Sequence, residues 1–223
     1  MTVEDTHNKK SKPTPLTNRE GTTIDTLLSC MKDASTHFKR ACNQSNLQHP
    51  LNENKLTQIL VEQIEVQIKP IAGVGIKNQY SDIFFGTKGI PDFYFHKVEE
   101  GVTHYPLFVV EAKILPAPTE NRKQEYVIGN KNNGGIERFK TEKHGKGLNK
   151  CGMIGFVENN TFEYWQQTIN TWIKELSDNN NFWKNDETLV KNENTSDFMA
   201  LQSIAHRISG TNVSLYHLWI YTK

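Results

Sequence analysis

The sequence predicts a mixed α/β domain of the α+β kind, with a central sheet of about four to five strands flanked by α-helices. Three observations predict it. Segments with helical apolar spacing are interleaved with short apolar or alternating runs of strand length. Their order (helix, strand pair, helix, strand, helix, strand pair) suits a mixed sheet with helices packed on it. The length, 223 residues, fits one domain that buries a core without disulfide help.

Each element has a local cause. Residues 1–22 are polar, carry Pro13, Pro15 and the basic cluster Lys9, Lys10 and Lys12, and read as a flexible arm; residues 23–223 read as the folded domain. From Thr23 to Cys42, Ile24, Leu27, Leu28 and Met31 take helical spacing, and NQSNLQHP follows as a loop. Asn52 reads as the N-cap of a long helix with the stripe Leu56, Ile59, Leu60 and Ile64, and Pro70 lies just past its end. Gly73-Val74-Gly75 reads as a turn. IPDFYFHK (90–97) and YPLFVVEAKIL (105–115) read as strands, close enough in sequence for an antiparallel hairpin. After Pro116 and Pro118, the stretch GNKNNGGIERFKTEKHGKG starts a helix at Gly135 or Ile136. CGMIGFVE (151–158) is a buried strand and TFEYWQQTINTWIKEL (161–176) an amphipathic helix. NNNFWKNDETLVKNENTSD reads as surface loop, and SIAHRI and VSLYHLWIY as a strand pair joined by SGTN.

Composition excludes several classes. The formal net charge of +1 does not announce a nucleic-acid partner, so any such partner is met by a local patch. Cys30, Cys42 and Cys151 are odd in number and form no C-x-x-C pair, which argues against a disulfide framework and a cysteine-ligated zinc site. The N-terminal residues lack the apolar core of a secretion signal. No run approaches the roughly 20 apolar residues of a membrane span, so the expectation is a cytoplasmic chain with no membrane partner. Neither G-x-S-x-G nor H-E-x-x-H is present.

The informative pattern is Pro91-Asp92, a gap, then Glu111-Ala112-Lys113. On a strand Glu111 and Lys113 share one face and Ala112 takes the other. A carboxylate and an ammonium thus interrupt a strongly apolar run, which is costly unless they are paired or hold a metal. Asp92, on the neighbouring strand, brings a second carboxylate to the same sheet edge. Hard oxygen ligands suit Mg²⁺, with Mn²⁺ as a substitute. Such an ion activates water and neutralises phosphate charge, and Lys113 orients the water or stabilises the developing charge.

This arrangement resembles the signature of the PD-(D/E)XK, restriction-endonuclease-like nuclease superfamily. The resemblance covers roughly residues 50–160, leaving a C-terminal helix and hairpin extension at 161–223. It implies a restriction-endonuclease-like core, with Asp92, Glu111 and Lys113 as catalytic residues and Asp92, Glu111 and the Ala112 carbonyl as metal ligands. An acidic residue on the first helix often joins that site, and Glu53 lies in the direction of the Leu56–Leu60–Ile64 stripe. A helix-start charge favoured by the dipole is the other reading of Glu53. The implied activity is a metal-dependent endonuclease acting on DNA in a prokaryotic restriction or anti-phage defence setting. A separate targeting or ATPase subunit, or a second copy of the chain, is compatible with it. Alternatives are an RNase or structure-specific resolvase with the same site, and a catalytically silent nucleic-acid-binding or assembly module of the same fold.

Arg138 and Lys140 lie in a stretch with Lys131, Lys143, His144, Lys146 and Lys150, which reads as a basic patch for phosphates beside the site, or else as a solvated charged face. Arg138 has the fork for bidentate phosphate contact. His96 shares a strand face with Asp92 and Tyr94. His206 and His217 have no ligand spacing.

Overall fold

The computed structural model describes the backbone of residues 18–223 and the side chains of residues 23–223. The expected arm at 1–22 therefore lies largely outside the described residues, although its last part, from Asn18 on, already belongs to the first helix.

That helix, α1 (Asn18–Cys42), is followed by α2 (Glu53–Ile68), β1 (Val74–Asn78), β2 (Phe93–Lys97), β3 (Pro106–Leu115), α3 (Gly135–Lys140), β4 (Lys150–Val157), α4 (Phe162–Asn179), β5 (Val190–Asn194), β6 (Phe198–His206) and β7 (Asn212–Tyr221). The strands form one mixed sheet of seven, in the order β1-β2-β3-β4-β7-β6-β5. The centre, β3-β4-β7, is parallel, and both wings are antiparallel. The α+β class is as expected, but the sheet is larger than four to five strands. The two additions are edge strands. β1 begins inside the Gly73-Val74-Gly75 segment that reads as a turn, and β5 is exposed along its whole length, so neither carries an apolar strand signal.

Local chemistry sets the helix ends. The Asn52 side chain accepts from the Lys55 N–H at 3.0 Å and starts α2. The Glu137 carboxylate accepts from the Gly129 and Gly134 N–H groups and ties the loop to the first turn of α3. α1 and α2 bury one face of the sheet, including Phe93, Phe108, Val110, Ala112 and Ile114. The opposite face, with Val109, Met153, Leu215 and Trp219, packs under residues of α3 and α4. β3 is buried at every position, so its two polar side chains emerge inside the protein.

A polar chain crosses the second core. Trp219 Nε1 donates to the Tyr126 hydroxyl at 2.8 Å, which lies 2.8 Å from His217 Nδ1; His217 Nε2 lies 2.9 Å from Ser203 Oγ. With its oxygen accepting from Trp219, Tyr126 turns its proton to Nδ1, and Nε2 carries the ring hydrogen toward Ser203. Burial holds this histidine down to about 3.

Lys140 corrects an expectation. It is a buried ion-pair partner rather than part of a phosphate-binding surface. Its Nζ pairs with Glu187 where both side chains are inaccessible, donates to the His206 carbonyl, and sits 4.6 and 4.7 Å from the Phe182 and Trp183 ring centres. Glu187 also accepts from the Lys184 and His206 N–H groups, so the pair rivets α3 to β6 and to the loop before β5. Glu187→Gln should leave an uncompensated buried ammonium and cost about 3–5 kcal/mol in urea unfolding, whereas adding Lys140→Met, which removes that ammonium while Gln keeps an acceptor for a backbone N–H, should recover part of it. Full stability of Glu187→Gln would contradict a rivet of this kind.

Candidate active site

β2 pairs with β3 from His96↔Pro106 to Phe93↔Val110 and then stops, while β3 runs on to Leu115. Continuing that register sets Asp92 opposite Glu111. On the edge that β2 has vacated, the N–H of Ala112 donates to Asp92 Oδ2 at 2.7 Å and the N–H of Ile114 to Glu53 Oε2 at 3.1 Å. Two carboxylates thus replace the missing strand. Glu53 does what the direction of its helix stripe suggested: it emerges at the rim of the sheet, from the first turn of α2.

Glu111 and Lys113 project from the other face of β3, beneath α3. Lys113 Nζ donates to Glu111 Oε1 at 2.7 Å, to the Ala112 carbonyl at 2.7 Å and to Glu53 Oε1 at 3.2 Å. An ammonium has three N–H groups, and all are used. Arg138 Nη1 also donates to Glu111 Oε1. Three carboxylates, of Glu53, Asp92 and Glu111, therefore face two cations. Burial, then the charge of Glu111, pushes Asp92 up to about 7. Burial likewise raises Glu53, against the pull of Lys113. For Lys113 burial acts downward, but Glu111, Glu53 and Asp92 outweigh it and hold the ammonium above the usual lysine range.

Of the sequence-predicted site residues, the fold gathers Glu53, Asp92, Glu111, Ala112, Lys113 and Arg138 and leaves Lys140 elsewhere. Of the other residues of the expected basic patch, Lys131 and Lys146 are exposed, while two make local contacts. Lys143 donates to the carbonyls of Lys131 and Asn132, and Lys150 lies 3.7 Å from Asp25. His96 is also away from the cluster: its Nδ1 meets the Lys97 carbonyl and its ring stacks on His104 at 4.6 Å.

Two residues were missed. Asp82 accepts from the N–H groups of Phe84, Phe85 and Thr87 and from the Thr87 hydroxyl, folding the loop that delivers Asp92. His144, buried beside Glu111, was counted only as one charge in a basic run. The N-rich, glycine-rich stretch around it gave no sign that its ring turns inward.

Among the described residues no group of three or more His, Cys, Asp or Glu side chains is arranged to hold a metal ion as the side chains stand. The Lys113 ammonium fills the space on which Glu53, Glu111 and the Ala112 carbonyl converge. The donor chemistry nevertheless fits a hard divalent cation, being wholly oxygen. Glu111 Oε2 is buried without a hydrogen-bond partner, an acceptor still unmet. No family model matches the sequence, and neither the curated proteins nor the solved structures include a detectable relative. No helix among the described residues is long and apolar enough to cross a membrane.

The raised Asp92 carboxyl has a consequence for stability. Its protonated form is favoured in the fold, so its contribution is complete below the unfolded value near 3.8 and is lost as pH rises through about 7. Without divalent cation, wild type should lose stability relative to Asp92→Asn between pH 4 and 8, by up to about 1.4 kcal/mol per pH unit. Parallel urea-unfolding profiles for the two proteins would show that the carboxyl titrates normally.

Proposed function

We propose that this chain is a divalent-cation-dependent phosphodiesterase with a restriction-endonuclease-like core, cleaving DNA. One observation carries the reading. The oxygens of Glu53 and Glu111 and the Ala112 carbonyl converge on a single positively charged nitrogen inside the protein, with Asp92 fixed to the same stretch of β3. Carboxylates are gathered at this density in a buried place at a cost in desolvation and like-charge repulsion, and a bound cation relieves both.

In this reading Glu53, Asp92, Glu111 and the Ala112 carbonyl hold Mg²⁺, or Mn²⁺ in its place. Bound there, such an ion would acidify a water and neutralise charge on the phosphate. Lys113 stays charged throughout, and once its carboxylate partners are engaged elsewhere its N–H groups turn to a phosphate oxygen or to the attacking water. Arg138, one-quarter exposed and already at the cluster, is placed to grip the neighbouring phosphate. Hydrolysis would join the water oxygen to phosphorus and break the bond from phosphorus to the ester oxygen in line; the water gives up one proton and the leaving oxygen takes up one from solvent, so none is gained or lost overall. DNA as substrate, and a restriction or anti-phage setting, follow from the resemblance in the motif.

A second reading has its own observation. Asp92 and Glu53 each satisfy a backbone N–H of β3, and every N–H of Lys113 is occupied, so these residues also act as a strand-edge cap. A catalytically silent binding or assembly module would need no more than that.

Plasmid nicking with Mg²⁺, with and without chelator, separates the two. Chelator-sensitive nicking that is lost in Lys113→Ala and Asp92→Asn is expected, and unchanged nicking by either variant rules out the assignment. Glu53→Gln should slow cleavage at least tenfold, equivalent to about 1.4 kcal/mol in the barrier, while melting stays near wild type. A variant that is slightly less stable and fully active would leave Glu53 as a cap alone.

A further inference from the structure

The buried edge of the cluster holds two unmet polar atoms that face each other. Glu111 offers Oε1 to both Lys113 and Arg138, whereas its Oε2 has no partner. Opposite, His144 Nδ1 lies 3.3 Å from Oε2 without the alignment of a hydrogen bond, and it too is unpartnered. Both side chains are 1% exposed. Native cores pair nearly all such atoms, so two that face each other unmet call for a physical reason such as a bound ion.

The imidazole is the fixed member of the pair. The Phe139 ring meets it edge-on at 5.7 Å, and the His144 N–H donates to the Arg138 carbonyl at 3.1 Å. Gly89 presses on the ring from the loop before Asp92, so closely that a Cβ at this glycine would come within 2.4 Å of Cδ2. The next residue, Gly145, has φ +63° and gives its carbonyl to Arg207. The ring is thus held from the helix and the loop, its backbone is tied through Gly145 to Arg207, and adjustment falls to the carboxylate. Burial, and then the charges of Arg138, Lys113 and Lys143 around the ring, keep the imidazole neutral, so it carries one N–H to give.

We propose that His144 is a positioning residue for Glu111: its Nδ1–H takes Oε2 when Glu111 binds the divalent cation, fixing which carboxylate oxygen is offered to the ion. The inference rests on the cation-binding reading given above and adds a residue to it. A hydrogen-bonded partner behind a ligating carboxylate orients it and tunes its affinity, and losing such a partner costs about 10–100-fold in metal binding.

The test uses Mn²⁺ titrated calorimetrically into the intact protein. His144→Asn places an amide N–H close to the position of Nδ1, His144→Gln places one nearer Nε2, and His144→Leu removes both. Affinity should fall about 10–100-fold for Leu, hold within a few-fold of wild type for Asn, and lie lower for Gln than for Asn. Should the Leu protein fail to fold, the Asn and Gln pair still decides. Equal affinity in Asn and Gln, or in Leu and wild type, overturns the role of His144 and leaves the cation site standing. Failure of wild type to bind Mn²⁺ overturns both. Nitrogen-15 imidazole spectra of the Mg²⁺-loaded protein give an independent readout: the hydrogen belongs on Nδ1, and finding it on Nε2 refutes the proposal.

Discussion

The site follows from one constraint on β3. The strand is buried on both faces, yet its partner β2 leaves it after Val110, so the N–H groups of Ala112 and Ile114 need acceptors that no strand provides. An unmet buried N–H costs about 1–3 kcal/mol. Asp92 meets one because it is the next residue beyond β2 in register. Glu53 meets the other because the apolar stripe of α2 lays its first turn against this end of the sheet. With two carboxylates committed to the edge and Glu111 projecting beside them, an ammonium within reach becomes a requirement of folding, and Lys113 supplies it. The groups that make the strand end viable are the groups that give it chemical potential.

The far end of the chain belongs to this arrangement as well. β7 lies beside β4 in the parallel centre, and β6 is followed directly by Arg207, whose guanidinium donates to the carbonyls of Phe139 and Gly145. The Ile208 N–H donates to the Lys140 carbonyl. Together with the Lys140–Glu187 pair, these bonds clamp α3 and the residues after it over the face of β3 from which Glu111 projects. The residues from 161 onward, which the motif resemblance leaves aside, are thus the support for Arg138 and His144.

How much of this was legible depends on where the signal lay. The apolar run that makes β3 is local, as are the Asn52 cap, the start of α3 at Gly135 and the stripes of α2 and α4, and each stands where the sequence put it. The spacing of Glu111 and Lys113, and the proximity of Asp92 to them, follow from strand geometry alone. β1 and β5 were invisible because an edge strand has little core to face. Lys140 was misread because charge reports nothing about a partner 47 residues away. His144 was overlooked for the mirror-image reason: its surroundings in sequence are polar, and only packing under Gly89 and Phe139 makes it an interior group.

The hydrogen-bonded chain through the second core has a direction. Trp219 has a hydrogen to give and nothing to accept with, so the sequence Trp219, Tyr126, His217, Ser203 runs one way. An acid proton added to Nδ1 would meet a hydroxyl already pointing at it, and Tyr126 could not turn that hydrogen elsewhere without colliding with the indole N–H. Protonating His217 would therefore cost the chain its bond to Tyr126, and the indole of Trp219, at the head of the chain, is an optical reporter placed one hydrogen bond from that loss.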